Sequence, residues 1–374
     1  MKKLFFTCTP WALLLLLAVG VFALVPWSAT PAAASTFDPT YFAPLGIAGV
    51  LDLRGLFTPT AVARYLKNLP ILKTPVMDTI FANRPQHPLA LIGADMLTPV
   101  VHALPMVRRG APSIPAVKES TAVGFYEPFP VRPNSMITGA DLNNLKLLGP
   151  ASLETWAQNR TEMLRRVVRA TSEAVAATAL TGKVQWPVQL EGGGFDTYEV
   201  DFGSILTFEP AVLWSANGAK VKAVFDTLTG MQEKLQGKGF GGAVEIWAGS
   251  AAYGALFVIA EASTSTAKIR VEITDQGINI GGFLIKRRAE TYRNPQTGAM
   301  VPVVATNDVK MIAMDGGHFM PYCALDDLDG NLQPLPMLVK PIRIEDPSGY
   351  KLVGEAKPFP VPNVNAICNA TVVG

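Results

Sequence analysis

Gly237-Lys238-Gly239-Phe240-Gly241-Gly242 has the spacing of G-x-G-x-x-G, the glycine loop that lets a backbone approach a dinucleotide pyrophosphate. That chemistry needs a strand before the glycines and a helix opening after them, because the helix N-terminus holds the phosphate charge. Here the glycines follow a helical pattern and precede a strand pattern, so the segment reads as a helix-to-strand turn. Ala324 to Asn331 (ALDDLDGN) places acids near the spacing of a calcium loop, but Leu325 stands where the first carboxylate belongs and no Glu closes the twelfth place. It reads as an Asp-Gly turn. His87, His102 and His318, with Cys8, Cys323 and Cys368, are too scattered for a spaced zinc motif, and there is no G-x-S-x-G nucleophile elbow. These residues require no catalytic site, metal or cofactor, so neither a hydrolase nor a cofactor enzyme has a constellation to rest on.

Charge offers the other possible chemistry. Arg165, Arg166 and Arg169 share the polar side of a long helical pattern with Glu162 and Glu173. Glu162 with Arg166, and Arg169 with Glu173, have the i,i+4 spacing of helix-surface ion pairs. The alternative is non-specific contact with DNA phosphate through the excess positive charge. Arg108 and Arg109 are open to the same two readings, and to an ion pair between subunits. The net charge of +2 excludes a global basic field.

These residues must be positioned by a chain of 374 residues, 49% hydrophobic and only 17% charged, with 30 prolines and 32 glycines. Such a chain buries a sizeable core, makes many extended connections, and leaves an uncharged surface of the kind found between subunits. Thr60 to Leu69 has helical spacing. From Leu104 to Pro133, two extended runs joined by a Pro-interrupted stretch predict a long hairpin with a loose tip. Pro112, Pro115, Pro128 and Pro130 keep it at an edge or away from the body.

Ser152 is the expected N-cap of a helix reaching Thr181, with Gly182 ending it. Its expected apolar stripe is Trp156, Met163, Leu164, Val167, Val168, Thr171, Val175 and Thr178, over about 45 Å. After Gly192-Gly193-Gly194, a strand presents Tyr198, Val200 and Phe202 on one face. A second amphipathic helix (219–236), a strand (243–248), a small-residue helix (250–262) and extended runs near 268–274, 282–292 and 309–314 predict a second α/β lobe. Strands return at 340–346 and 364–373.

The N-terminus has the form of a secretory leader: Lys2 and Lys3, an apolar run from Trp11 to Val25, then Ala32-Ala33-Ala34-Ser35. Alone it favours an exported bacterial surface or periplasmic array-forming protein, with a possible Cys323–Cys368 disulfide.

The order of parts resembles the lambda-type major capsid proteins of tailed bacteriophages, the phage capsid E family. The resemblance rests on IFANRPQHPL, GFYEPFPVRPNSM, NRTEMLRRVVRATSEAVAATALTGKV, FDTYEVDFG, FMPYCALDDLDGN and AKPFPVPNVNAICNATVV, in that order across roughly residues 75 to 374. It implies an α+β chain with the tailed-phage (Hong Kong 97-type) major capsid fold. The implied parts are a leader or extension (1–35), N-arm and start of the P-domain (36–103), E-loop (104–133), P-domain with spine helix 152–181 (134–214), A-domain (215–330), and a return to the P-domain (331–374).

The implied function is a head protein that self-assembles into an icosahedral shell around double-stranded DNA, not an enzyme, with the virion as its place and the host cytoplasm as its site of assembly. The implied partners are copies of itself in hexamers and pentamers, with scaffold, portal and decoration proteins. Inter-subunit contacts are expected at Arg108, Arg109, Lys118 and Glu119. Arg165, Arg166 and Arg169 are the candidate DNA-facing residues. No small-molecule substrate is implied.

Overall fold

The computed structural model describes residues 53–69, 72–93, 125–146, 150–263 and 268–374. The leader, most of the predicted hairpin, and Arg108, Arg109, Lys118 and Glu119 lie outside the described residues.

A 3₁₀ turn (Leu53–Phe57) leads into α1 (Pro59–Asn68), where the Thr58 hydroxyl accepts the Ala61 N–H at 3.2 Å and satisfies one of the first-turn amides. A π-helical turn follows at Val76–Ile80. The short strands β1 (Gln86–His87), β2 (Ile92–Gly93) and β3 (Phe125–Tyr126) come next, then β4 (Asn134–Thr138) and α2 (Gly139–Lys146). The dominant element is α3 (Pro150–Ala179), 30 residues and about 45 Å long.

It begins two residues before the expected cap and stops at Ala179. Gly182 then adopts φ +90, where a Cβ would lie 2.2 Å from the Gly203 carbonyl oxygen. Only glycine fits there without strain. The expected stripe is partly corrected: Met163 and Val167 are exposed. The buried line instead runs through Leu153, Ala157, Thr161, Leu164, Val168, Ser172 and Ala176. Small residues at these positions let neighbouring elements approach the helix closely, so side-chain size misidentified the inward face.

The chain then forms a hairpin of β5 (Lys183–Gln189) and β6 (Phe195–Asp201), turned by the three glycines, with Val200 buried and Glu199 and Asp201 outside as the alternation requires. β7 (Leu206–Thr207), α4 (Val221–Gln236), β8 (Val244–Ala248) and α5 (Ser250–Glu261) lead to β9 (Val271–Thr274), β10 (Gly277–Ile280) and β11 (Phe283–Arg287). A ribbon of β12 (Thr291–Arg293) and β13 (Met300–Pro302) precedes β14 (Asp308–Ala313) and β15 (Tyr322–Cys323). β16 (Leu338–Ile344), β17 (Gly349–Glu355) and β18 (Ile367–Thr371) end the chain.

Seven strands form one sheet in the order β7-β18-β14-β8-β11-β10-β9. One face, through Ile246, Ala248, Val309, Met311 and Cys368, packs with α4 and α5. The other, through Trp247, Ile312 and Ile367, packs on the C-terminal end of α3 and the β5–β6 hairpin. A second sheet, β16-β17-β4, lies along α3, where Leu164 reaches Gly354. The last forty residues therefore divide: β16 pairs with β17 and β17 with β4, whereas β18 inserts between β7 and β14. A buried strand's partners follow from long-range pairing and not from its own sequence, so the insertion of β18 is visible only in the fold.

Candidate assembly surfaces

The arginines of α3 divide by their neighbours. Arg165 donates to the carbonyls of Leu66 at 3.1 Å and Leu69 at 3.4 Å, binding the unsatisfied end of α1. Arg169 turns to Asp78, at 3.0 and 3.1 Å, and to the Thr74 hydroxyl. Arg166 is 60% exposed and pairs with Glu162 at 2.7 Å, at the expected i,i+4 spacing.

The expected Arg169–Glu173 pair is not formed. Glu173 instead accepts the Val76 and Met77 amides at 2.7 and 2.9 Å, capping the π-helical turn. Two backbone donors on a crossing element satisfied both carboxylate oxygens, which helix spacing cannot reveal. Burial raises the Glu173 pKa, against the pull of these amides. Burial also works against the Asp78 carboxylate, but Arg84, the Thr74 amide and hydroxyl, and Arg169 outweigh it and hold its pKa down to about 2. These contacts fasten α1 and residues 74–84 along the long helix.

The glycine-rich turn is internally occupied: the Gly241 and Gly242 amides donate to Asp315 at 3.3 and 3.2 Å. A carboxylate of the chain thus sits where a phosphate would. The acids of ALDDLDGN are matched by lysines. Lys357, almost wholly buried, meets Asp326 at 2.9 Å, and Lys340 meets Asp327 and Asp329. Among the described residues no cluster of His, Cys, Asp and Glu could hold a metal ion.

Two titratable groups are buried on and beside the sheet. Lys310 on β14 reaches the Leu180 carbonyl, just past α3, at 3.4 Å, and burial pushes its pKa down to about 8. It couples the long helix to the seven-stranded sheet. His318 accepts the Asn363 amide on Nδ1 at 3.1 Å and donates from Nε2 to the Ala313 carbonyl at 3.2 Å; burial lowers its pKa to about 4. Cys323 and Cys368 are unpaired and buried in separate cores, their thiols pushed up to about 12 and about 11 by burial. They form no disulfide.

Large apolar side chains also stand outside. Leu190 and Phe195 flank the tip of the β5–β6 hairpin, Phe125 is exposed on β3, Phe129 is exposed beside β6, and Met163 and Val167 lie on the open side of α3. Phe129 stacks edge-on against Tyr198 at 4.8 Å. None of these residues supports bond-making chemistry; together they are surfaces that association would bury. Sequence reading missed them because an exposed Leu or Phe is indistinguishable from a core residue until the fold is known.

The model of the family described as phage major capsid protein E matches residues 58–372. The chain belongs to that family. It is a major capsid protein, and the match favours this over the array-forming alternative. The putative capsid protein of a prophage from E. coli CFT073 is similar in structure, with a TM-score of 0.55 and 15% identity, covering 84% of this chain and 99% of that one. A phage-related protein from Bordetella bronchiseptica RB50 has a TM-score of 0.49 and 10% identity, covering 85% and 98%. No curated protein matches the chain in sequence. The capsid subunit has the tailed-phage, Hong Kong 97-type fold, and its place is the virion.

Proposed function

We propose that the subunit assembles with copies of itself, as hexamers and pentamers, into the icosahedral head of a tailed phage or prophage that encloses double-stranded DNA. The family match across 58–372 carries this reading. In this account α3 is the spine of the P-domain, the lobe around the seven-stranded sheet is the A-domain, and residues 104–133 are the E-loop that lies on a neighbouring subunit. Arg108, Arg109, Lys118 and Glu119 make contacts there.

Many modest contacts per subunit close a shell that no single contact would stabilise. The role is structural. Assembly takes place in the host cytoplasm with scaffold and portal proteins, and decoration proteins add to the outside. Contact with packaged DNA is non-specific. Arg166 is its best candidate, since its side chain is 60% exposed beside its Glu162 partner, whereas Arg165 and Arg169 are turned inward onto α1 and Asp78.

Removal of residues 108–122 tests the reading. The expected product is a folded subunit that sediments as a monomer, whereas normal shells from that deletion would overturn the E-loop assignment.

A further inference from the structure

The seven-stranded sheet carries an exposed apolar patch at each end. β9 is one edge strand and carries Ile273 (51% exposed); α5, which contacts β9, carries exposed Val258 (65%) and Phe257. β7 is the other edge; the chain leaving it runs along β18, with Trp214 donating its amide to the Val372 carbonyl at 2.7 Å, and presents Val212 (45%) and Leu213 outward.

Six strand spacings of about 4.8 Å separate the two edges by roughly 29 Å, so neither patch can cover the other within one chain. Single exposed apolar residues are ordinary on a protein surface, whereas neighbouring ones at both ends of one sheet offer two surfaces that association would bury. Two different patches on opposite sides generate a head-to-tail contact, of the kind that closes into a ring when the rotation between copies closes; a two-fold dimer would need only one patch meeting itself.

Resting on the shell-forming reading above, we propose that these patches are the two halves of one contact between neighbouring copies of this chain: Val212 and Leu213 of one copy against Val258 and Ile273 of the next. The contact is made by side chains and not by strand addition. At the β7 edge, Lys234 Nζ already occupies the Thr207 carbonyl, a group an added strand would need. Charge does not oppose it. Arg270 and Glu272, flanking the β9 patch, neutralise each other, so the surface asks for an apolar partner.

The test uses the full chain with Cys8→Ser, because Cys323 and Cys368 are buried. Val212→Cys and Ile273→Cys are made singly and together, and assembled material is treated with a bifunctional maleimide. Both positions are exposed, and normal particle formation by each single variant confirms its folding. The double variant is expected to give a ladder of crosslinked species up to the ring size, and a mixture of the two single variants a crosslinked dimer. Each single variant alone stays monomeric on denaturing gels.

Dimers from either single variant alone, or no crosslinks in particles that form normally, would overturn the pairing and leave the capsid reading intact. Failure of the unsubstituted chain to form any particle would overturn both.

Discussion

Acidification should unlock the subunit at His318. The imidazole is 5% exposed, and its hydrogen-bond partners among the described residues are the amide of Asn363 and the carbonyl of Ala313, so the neutral tautomer with the proton on Nε2 is the form that fits. Asp315 is the nearby charge that partly offsets the burial. The folded pKa of about 4 lies below the ordinary 6.5, so at intermediate pH the unfolded chain binds a proton that the folded chain refuses. Stability is therefore fully present above pH 6.5 and falls as pH drops to 4. The total loss is about 3.4 kcal/mol, at about 1.36 kcal/mol per pH unit, of which about 2.7 is gone by pH 4.5.

Urea denaturation of unassembled subunits at pH 7 and pH 4.5, for the parent and for His318→Gln, isolates this effect. The amide of Gln can offer the same donor and acceptor without titrating. Glu173 and Glu355, whose pKa values burial raises, gain stability on acidification, but they do so equally in both proteins. The parent should lose about 2.7 kcal/mol more than the variant over this interval. Equal losses would refute the reasoning.

Lys310 gives the opposite test on the alkaline side. With its folded pKa at about 8 and its unfolded value at 10.5, it is charged in both states at pH 7 and bears its full burial penalty; stability should rise between pH 8 and 10.5. Lys310→Met should then be more stable than the parent by about 1–3 kcal/mol at pH 7, with the gap closing by pH 10.5 in chemical denaturation. Glu173→Ala leaves the Val76 and Met77 amides without their acceptor and should destabilise by about 1–3 kcal/mol in thermal melts, whereas a surface ion pair with Arg169 would have been worth well under about 1. Gly182→Ala forces a side chain into the Gly203 carbonyl at positive φ and should lower stability by at least about 1–3 kcal/mol; an unchanged melting temperature would contradict that geometry.

Elements with a strong local signal were legible from sequence alone. α3 came within two residues at each end because a long pattern at helical period, closed by Gly182, leaves little choice. α4, β8 and α5 likewise followed from amphipathicity and from glycines. What escaped was decided by distant partners: the β5 strand with Pro187 inside it, the insertion of β18 between β7 and β14, and the turning of Arg165 and Arg169 onto α1 and Asp78. Helix spacing shows which residues are neighbours on one helix and says nothing of a crossing backbone that offers better partners. The exposed apolar patches were equally silent, since their residue types match those of the core and only the sheet order reveals that they lie at its two ends.

Closure of this subunit into shells with its own copies is open to direct observation. Sedimentation velocity with negative-stain microscopy of the purified full chain tests it most directly. The expected result is closed particles of uniform size in the megadalton range, with Cys323 and Cys368 still reduced. A folded chain that remains monomeric at every concentration, with or without residues 1–35 and in the presence of its scaffold, would contradict it.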